Sequence, residues 1–151
     1  MDDDADTAVA TPERTRQVTR GVCRYLSNLG YCVLTEFSLK NGRRADVIGL
    51  GRDGDVVIVE VKTSVADLKA DQKWPDYAEF CDQLFFATPH DFPLELLPDA
   101  CGILVADNWG GDEIRPADVS PLHASRRRVL TLKFARKASQ RLHDLTDPRR
   151  N

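Results

Sequence analysis

A chain of 151 residues is long enough to bury one core and short for two ordinary domains. Its net charge of −3 argues by itself for no polyanion partner, and no apolar run approaches the length of a membrane span. The acidic start, Met1-Asp2-Asp3-Asp4, lacks the basic and apolar regions of a secretory signal, which leaves the cytoplasm as the expected compartment and no membrane as a partner.

Residues 1–10 read as a disordered acidic tail. Thr11-Pro12-Glu13 then carries the signals of a helix start: an N-cap threonine, proline at the first helical position and an acid in the first turn. Val18, Val22, Tyr25, Leu26 and Leu29 recur at helical spacing, and Gly30 ends the helix. Tyr31 to Leu39 alternates as a strand, Asn41-Gly42 is a hairpin turn, and Arg43 to Leu50 is the second strand. Gly51-Arg52-Asp53-Gly54 turns the chain into a third strand, Asp55 to Lys62. Ser64-x-x-Asp67 resembles a capping box before a short helical turn, and Pro75 starts a helix through Tyr77, Phe80 and Cys81. Leu84 to Ala87 is a strand closed by Pro89, Gly102 to Ala106 is another, Asn108 to Gly111 is a turn, and Glu113 to Arg115 is a short edge strand. Pro121 precedes a last helix to about His143. The expected architecture is α/β: a mixed sheet flanked by helices, with an α-β-β-β-α-β core and a C-terminal helix. One domain is expected over 11–145, with a flexible basic tail at 146–151.

The chemistry concentrates at the ends of the second and third strands. Asp46 interrupts one apolar run, and fourteen positions later Glu60-Val61-Lys62 closes the next. Side chains alternate along a strand, so Glu60 and Lys62 share a face, with the Val61 carbonyl between them. One aspartate, one glutamate and one carbonyl offer three oxygens to a hard cation such as Mg²⁺ and leave positions for a phosphate oxygen and a water. Two adjacent carboxylates favour the charged form of Lys62, so its role is cationic: holding the nucleophile, or offsetting charge as phosphorus becomes five-coordinate. The same residues in isolation also fit a cross-face salt bridge and a turn-capping aspartate. Their place within strongly apolar strands, where an unpaired carboxylate is costly, favours the chemical reading.

With these residues and this element order, the chain resembles the PD-(D/E)xK nuclease superfamily, whose fold is restriction-endonuclease-like. More specifically, Arg43-Arg44-Ala45-Asp46-Val47-Ile48, Val59-Glu60-Val61-Lys62-Thr63-Ser64, Lys73-Trp74-Pro75-Asp76-Tyr77 and Phe85-Phe86-Ala87-Thr88-Pro89 are similar to MmcB-type bacterial DNA repair proteins, over roughly Pro12 to Leu142. The resemblance implies a role in DNA repair or damage-response mutagenesis and a nucleoid-associated cytoplasmic location. It also implies DNA as partner, beside other repair or translesion-synthesis proteins, Mg²⁺ or Mn²⁺ as cofactor, and Asp46, Glu60 and Lys62 as catalytic residues. Ala45 stands where the superfamily motif places proline. A non-catalytic DNA-binding or adaptor module on the same fold is the alternative.

Further candidates surround this set. Glu36, between Leu34 and Ser38 on its own strand face, is a candidate third acid for the metal of Asp46, Glu60 and Val61, and equally a solvated strand glutamate. Lys73 and Tyr77, one helical turn apart, are candidate DNA contacts with Arg44; Trp74 beside them is a base-stacking candidate that reads more readily as a packing residue. Arg126, Lys133 and Lys137 fall together on the last helix, as a phosphate-tracking ridge or as an ordinary solvated face. Asp82 and Asp107 read as turn or cap residues, and His90, His123 and His143 lack ligand spacing. Cys23, Cys32, Cys81 and Cys101 show no C-x-x-C spacing and read as buried free thiols.

Overall fold

A computed structural model describes residues 12–149, in which helices cover both faces of one six-stranded sheet. The acidic tail expected over 1–10, the Thr11 cap and the last two residues lie outside it. The elements in chain order are α1 (Pro12–Asn28), β1 (Cys32–Ser38), β2 (Arg44–Leu50), β3 (Val56–Val61), α2 (Val65–Ala70), α3 (Pro75–Ala78), β4 (Gln83–Thr88), β5 (Gly102–Ala106), β6 (Gly111–Arg115) and α4 (Ala124–Thr146). A 3-10 turn at Leu94–Leu96, without a sequence signal, interrupts the link from β4 to β5.

The strands lie side by side in chain order. β1, β2 and β3 form an antiparallel meander, β4 and β5 continue parallel to β3, and β6 closes the edge antiparallel. The three parallel strands are buried on both faces, apart from a half-exposed Gln83, which is why they read as near-continuous apolar runs. On one face, Val18, Val22 and Leu26 of α1 pack against Val47, Val57, Val59 and Leu104. On the other, Leu130 and Phe134 of α4, with Tyr77 and Phe80, pack against Phe37, Ile48, Ile58 and Phe86. α1 also meets the β5–β6 turn so closely that a Cβ on Gly21 would sit 1.8 Å from the Asp107 carbonyl oxygen, so only glycine fits.

Several expectations change in detail. The helix after Pro75 stops at Ala78, so Lys73 lies in the loop before it and does not share a helical face with Tyr77. The last helix runs on to Thr146. All four cysteines are free, but Cys32 is exposed and Cys23 half-buried, because the outer strand and the α1 flank leave those positions partly uncovered. Asp82 is far more than a turn residue. Its carboxylate accepts the Val56 N–H at 2.7 Å and the Leu122 N–H at 2.9 Å, and pairs with both Arg127 nitrogens at 2.7 and 2.6 Å. It thereby ties β3, the β6–α4 link and α4 together. Asp107 is a turn residue as expected, accepting the N–H groups of Trp109 and Gly110. No helix among the described residues is long and apolar enough to cross a membrane.

Candidate active site

The β2–β3 ladder runs from Leu50↔Val56 to Val47↔Val59 and then stops. Continued by one more step, it would set Asp46 opposite Glu60. Side chains take over there: the Val61 N–H donates to Asp46 Oδ2 at 2.8 Å, and the Asp46 N–H donates to Glu60 Oε1 at 3.1 Å. Carboxylate oxygens thus replace the backbone carbonyls that a regular ladder would use. β1 breaks in step. Glu36 has a φ of +49°, and no pairing joins it to Asp46 although Thr35↔Val47 and Phe37↔Ala45 pair on either side.

This irregularity resets the face alternation of both strands. Leu34 and Ile48 contact the α4-side core, and so do Phe37 and Ala45, an odd number of residues away. Glu36 therefore does not share a face with Leu34 and Ser38, as simple alternation predicts, because the left-handed backbone at Glu36 breaks the period. Glu36 is exposed, and no group of three His, Cys, Asp or Glu side chains that could hold a metal ion exists among the described residues. Glu36 does not join Asp46 and Glu60.

Asp46 and Glu60 do come together. Glu60 is 3 % exposed, and burial followed by the Asp46 charge pushes its carboxyl up to about 9. Burial also raises Asp46, against the lowering effect of the Val61 N–H, Glu60, Lys62 and Arg44. Two carboxyl groups this close in a dry site cannot both ionise without a cation, so near neutral pH the pair keeps a proton. The Val61 carbonyl points to the same side of β3 as its N–H, toward Asp46, because both groups of a strand residue face one neighbour.

Lys62 sits beside them, 8 % exposed, with its ammonium 2.9 Å from Asp71 Oδ2. Burial raises the Asp71 carboxyl, but the Lys62 hydrogen bond, the Lys73 N–H and the charges of Lys62 and Arg43 together outweigh it, and the net shift is downward. Nothing in the sequence marks Asp71: its spacing from Lys62 carries no signal until α2 folds the chain back.

Tyr77 lies against the acids. Burial, then the charges of Glu60, Asp71 and Asp46, raise its phenol to about 12. Its hydroxyl donates to the Arg44 carbonyl at 3.4 Å, and its ring is buried. Tyr77 is therefore a wall of the site and not an exposed DNA contact, since packing against β2 covers its ring. Arg44 is exposed beside Asp46, Lys73 is exposed in the loop, and Trp74 packs half-buried against the core. Asp71 and Trp74 open onto a cleft of about 220 Å³ that Leu68, Gln72, Leu96 and Pro98 complete.

The basic residues of α4 are largely engaged. Arg126 donates to the Glu79 carbonyl and lies over the Phe80 ring, and Lys133 donates to the Ser38 carbonyl over Phe37. They brace the helix; Lys137, half-buried like Lys133, completes the expected ridge. A wide groove along α4 holds no acid and lies apart from the carboxylate pair.

An α/β sheet with a buried glutamate and lysine at the carboxyl end of its third strand, and a half-buried aspartate facing them from the second, defines the class: a mixed-sheet protein with one polar site set into an apolar core. The family follows. The model of the MmcB-like DNA repair proteins matches residues 2–149, and the chain belongs to that family. Membership supports a role in DNA repair, as the resemblance implied. A solved structure of a protein of unknown function from Silicibacter pomeroyi is similar, at 42 % identity and a TM-score of 0.87, over 89 % of this chain and 92 % of that one. No curated protein matches the chain.

Proposed function

We infer that the protein is a metal-dependent deoxyribonuclease of the PD-(D/E)xK type, acting in DNA repair at the nucleoid. The observation that carries the reading is the close Asp46–Glu60 pair, with Glu60 buried and its carboxyl pushed up by burial and by the Asp46 charge. The residues fit a hard divalent cation: two carboxylates and the Val61 carbonyl converge on one edge, and a cation there takes the place of the shared proton. Mg²⁺ or Mn²⁺ held by these groups would supply Lewis-acid polarisation of a phosphate oxygen and an acidified water. Lys62, fixed by Asp71, offsets negative charge growing on the phosphoryl group. Arg44, Lys73 and Lys137 are candidate contacts to the DNA backbone.

The test is incubation of the purified protein with single-stranded, duplex and branched DNA, with Mg²⁺ or Mn²⁺. Asp46→Asn, Glu60→Ala and Lys62→Ala are each expected to cut on the order of 100-fold more slowly or worse. Cleavage that persists unchanged in the two acid variants would overturn the assignment. A DNA-binding adaptor is the second reading, favoured by the donor count, since only two carboxylates converge among the described residues. Metal-independent, salt-sensitive DNA binding without cleavage selects it.

A further inference from the structure

The β5–β6 turn presents the side chain that the nuclease reading leaves unused. Trp109 is 69 % exposed, a large indole on an otherwise polar tip. Its turn is rigid: Asp107 Oδ1 accepts the N–H groups of Trp109 at 2.8 Å and Gly110 at 3.1 Å, and the Asp107 N–H donates to the Gly110 carbonyl at 2.9 Å. The glycine at position 21 lets α1 press against the base of this turn. Two arginines of that helix, one turn apart, reach the ring from the α1 side: Arg20 at 5.3 Å and Arg24 at 5.8 Å from its centroid. Both are exposed, and neither is ion-paired among the described residues. At 69 % exposure, most of the indole remains open to solvent beside them.

Arg20 donates to Asn108 Oδ1 at 3.5 Å, so neither guanidinium is held by an acid among the described residues. An exposed aromatic ring with such cations beside it is the combination that binds unpaired bases: the ring stacks and the cations take the phosphates. Its position links it to the acids. β3, β4 and β5 are parallel, so Val61, Thr88 and Ala106 end at one edge of the sheet, and the Trp109 turn begins there. Two strand spacings separate the β3 and β5 ends, about 10 Å, or roughly three stacked nucleotides. Asp112 and Glu113 lie toward Tyr25, so the phosphate backbone is expected to keep to the Arg20 side.

We propose that Trp109, Arg20 and Arg24 form a stacking platform for single-stranded DNA that crosses the carboxyl edge of the sheet toward Asp46 and Glu60. This deepens, and rests on, the DNA reading of that site. It names an unpaired strand as the substrate segment.

The chain has two tryptophans, Trp74 and Trp109. A full-length Trp74→Phe protein therefore reports on Trp109 alone. Titration with oligo-dT at low salt and without divalent metal is expected to quench this fluorescence saturably, with salt reversing it, while a blunt duplex of equal length does not quench. Trp109→Ala is expected to weaken oligonucleotide binding on the order of 10-fold, and Trp109→Phe to retain most of it. Arg20→Ala with Arg24→Ala is expected to flatten the salt slope by about 1.4, or ~0.7 per lost phosphate contact. Quenching equal with oligo-rU supports the platform as a reader of bases; binding of oligo-rU alone overturns DNA as its ligand. Oligonucleotide binding without Trp109 quenching, or with unchanged affinity in Trp109→Ala, overturns the platform and leaves the nuclease intact. Asp46→Asn is expected to stop cleavage and keep the quenching, so the two readings fail separately. A wild-type protein that binds no nucleic acid sinks both.

Discussion

Glu60→Gln separates the cost of the buried acid pair from its use. In the unfolded chain the Glu60 carboxyl is ionised above its ordinary 4.5, whereas in the fold it holds its proton up to about 9. Between these values folding takes up a proton, so the native state binds more protons than the unfolded one and stability falls as pH rises. The slope is at most ~1.4 kcal/mol per pH unit, and the interval from pH 5 to pH 8 therefore costs the metal-free protein about 4 kcal/mol. For a chain of this size that corresponds to a melting shift on the order of 10 °C. Glutamine has nearly the same shape and no proton to gain. Asp46, raised in the same direction by burial, remains in the variant beside Lys62 and Arg44 but without a second acid.

Thermal melts in chelator from pH 5 to pH 8 read the difference directly. Wild type and Glu60→Gln are expected to melt close together at pH 5, with the variant increasingly the more stable toward pH 8. Added Mg²⁺ or Mn²⁺ is expected to recover wild-type stability at pH 8, because a ligand of the native state alone stabilises it, and to do far less for the variant. Parallel curves across this range, or a wild type that gains on the variant, would refute the reasoning, since Glu60 would then be ionised or paired in the fold.

Asp82→Asn is expected to destabilise by about 3 kcal/mol at pH 7, because it leaves Arg127 and one backbone donor short of a charged acceptor. Burial raises Asp82, but Arg127 and two N–H groups hold it down to about 2. Its contribution is thus complete above its ordinary 3.8 and lost as pH falls toward 2, so urea melts of variant and wild type should converge over that interval. Thr88 is fully buried at the end of β4, and its hydroxyl has no partner among the described residues. Thr88→Val is expected to stabilise by about 1 kcal/mol in the same assay; a loss would mean that the hydroxyl has a partner in solution.

The strands, turns and acid motif were legible because each is local. Asn41-Gly42 and Gly51 to Gly54 mark hairpins, and the φ of +85° at Gly42 and +86° at Gly54 is what such turns require. The apolar runs of β3 to β5 announce strands buried on both sides. What stayed hidden depends on contacts across the chain. Asp82 looks like any turn aspartate until α4 brings Arg127, 45 positions away, onto it. Arg20, Arg24 and Trp109 meet only because α1 and the β5–β6 turn pack together. Glu36 misled because period-two counting assumes an unbroken strand, and one left-handed residue shifts every later side chain to the other face.

The break that misled the count is also what makes the site. A ladder continued regularly past Val47↔Val59 would satisfy the Val61 N–H with a β2 carbonyl and leave no gap between the strands for a carboxylate. Instead Asp46 Oδ2 serves as that acceptor, so one side chain is both a candidate metal ligand and a piece of the sheet. Asp46→Ala therefore removes a charge and also strands a backbone donor, a loss of about 1–3 kcal/mol that would lower activity even in a protein with no metal. Asp46→Asn keeps an oxygen for Val61 and removes only the charge. If Asp46→Asn melts like wild type in chelator yet neither cleaves DNA nor gains stability from Mg²⁺, the carboxylate acts through a cation. If the two substitutions lose activity only in proportion to their loss of stability, Asp46 is a hydrogen-bond surrogate in the sheet and the metal must be sought elsewhere.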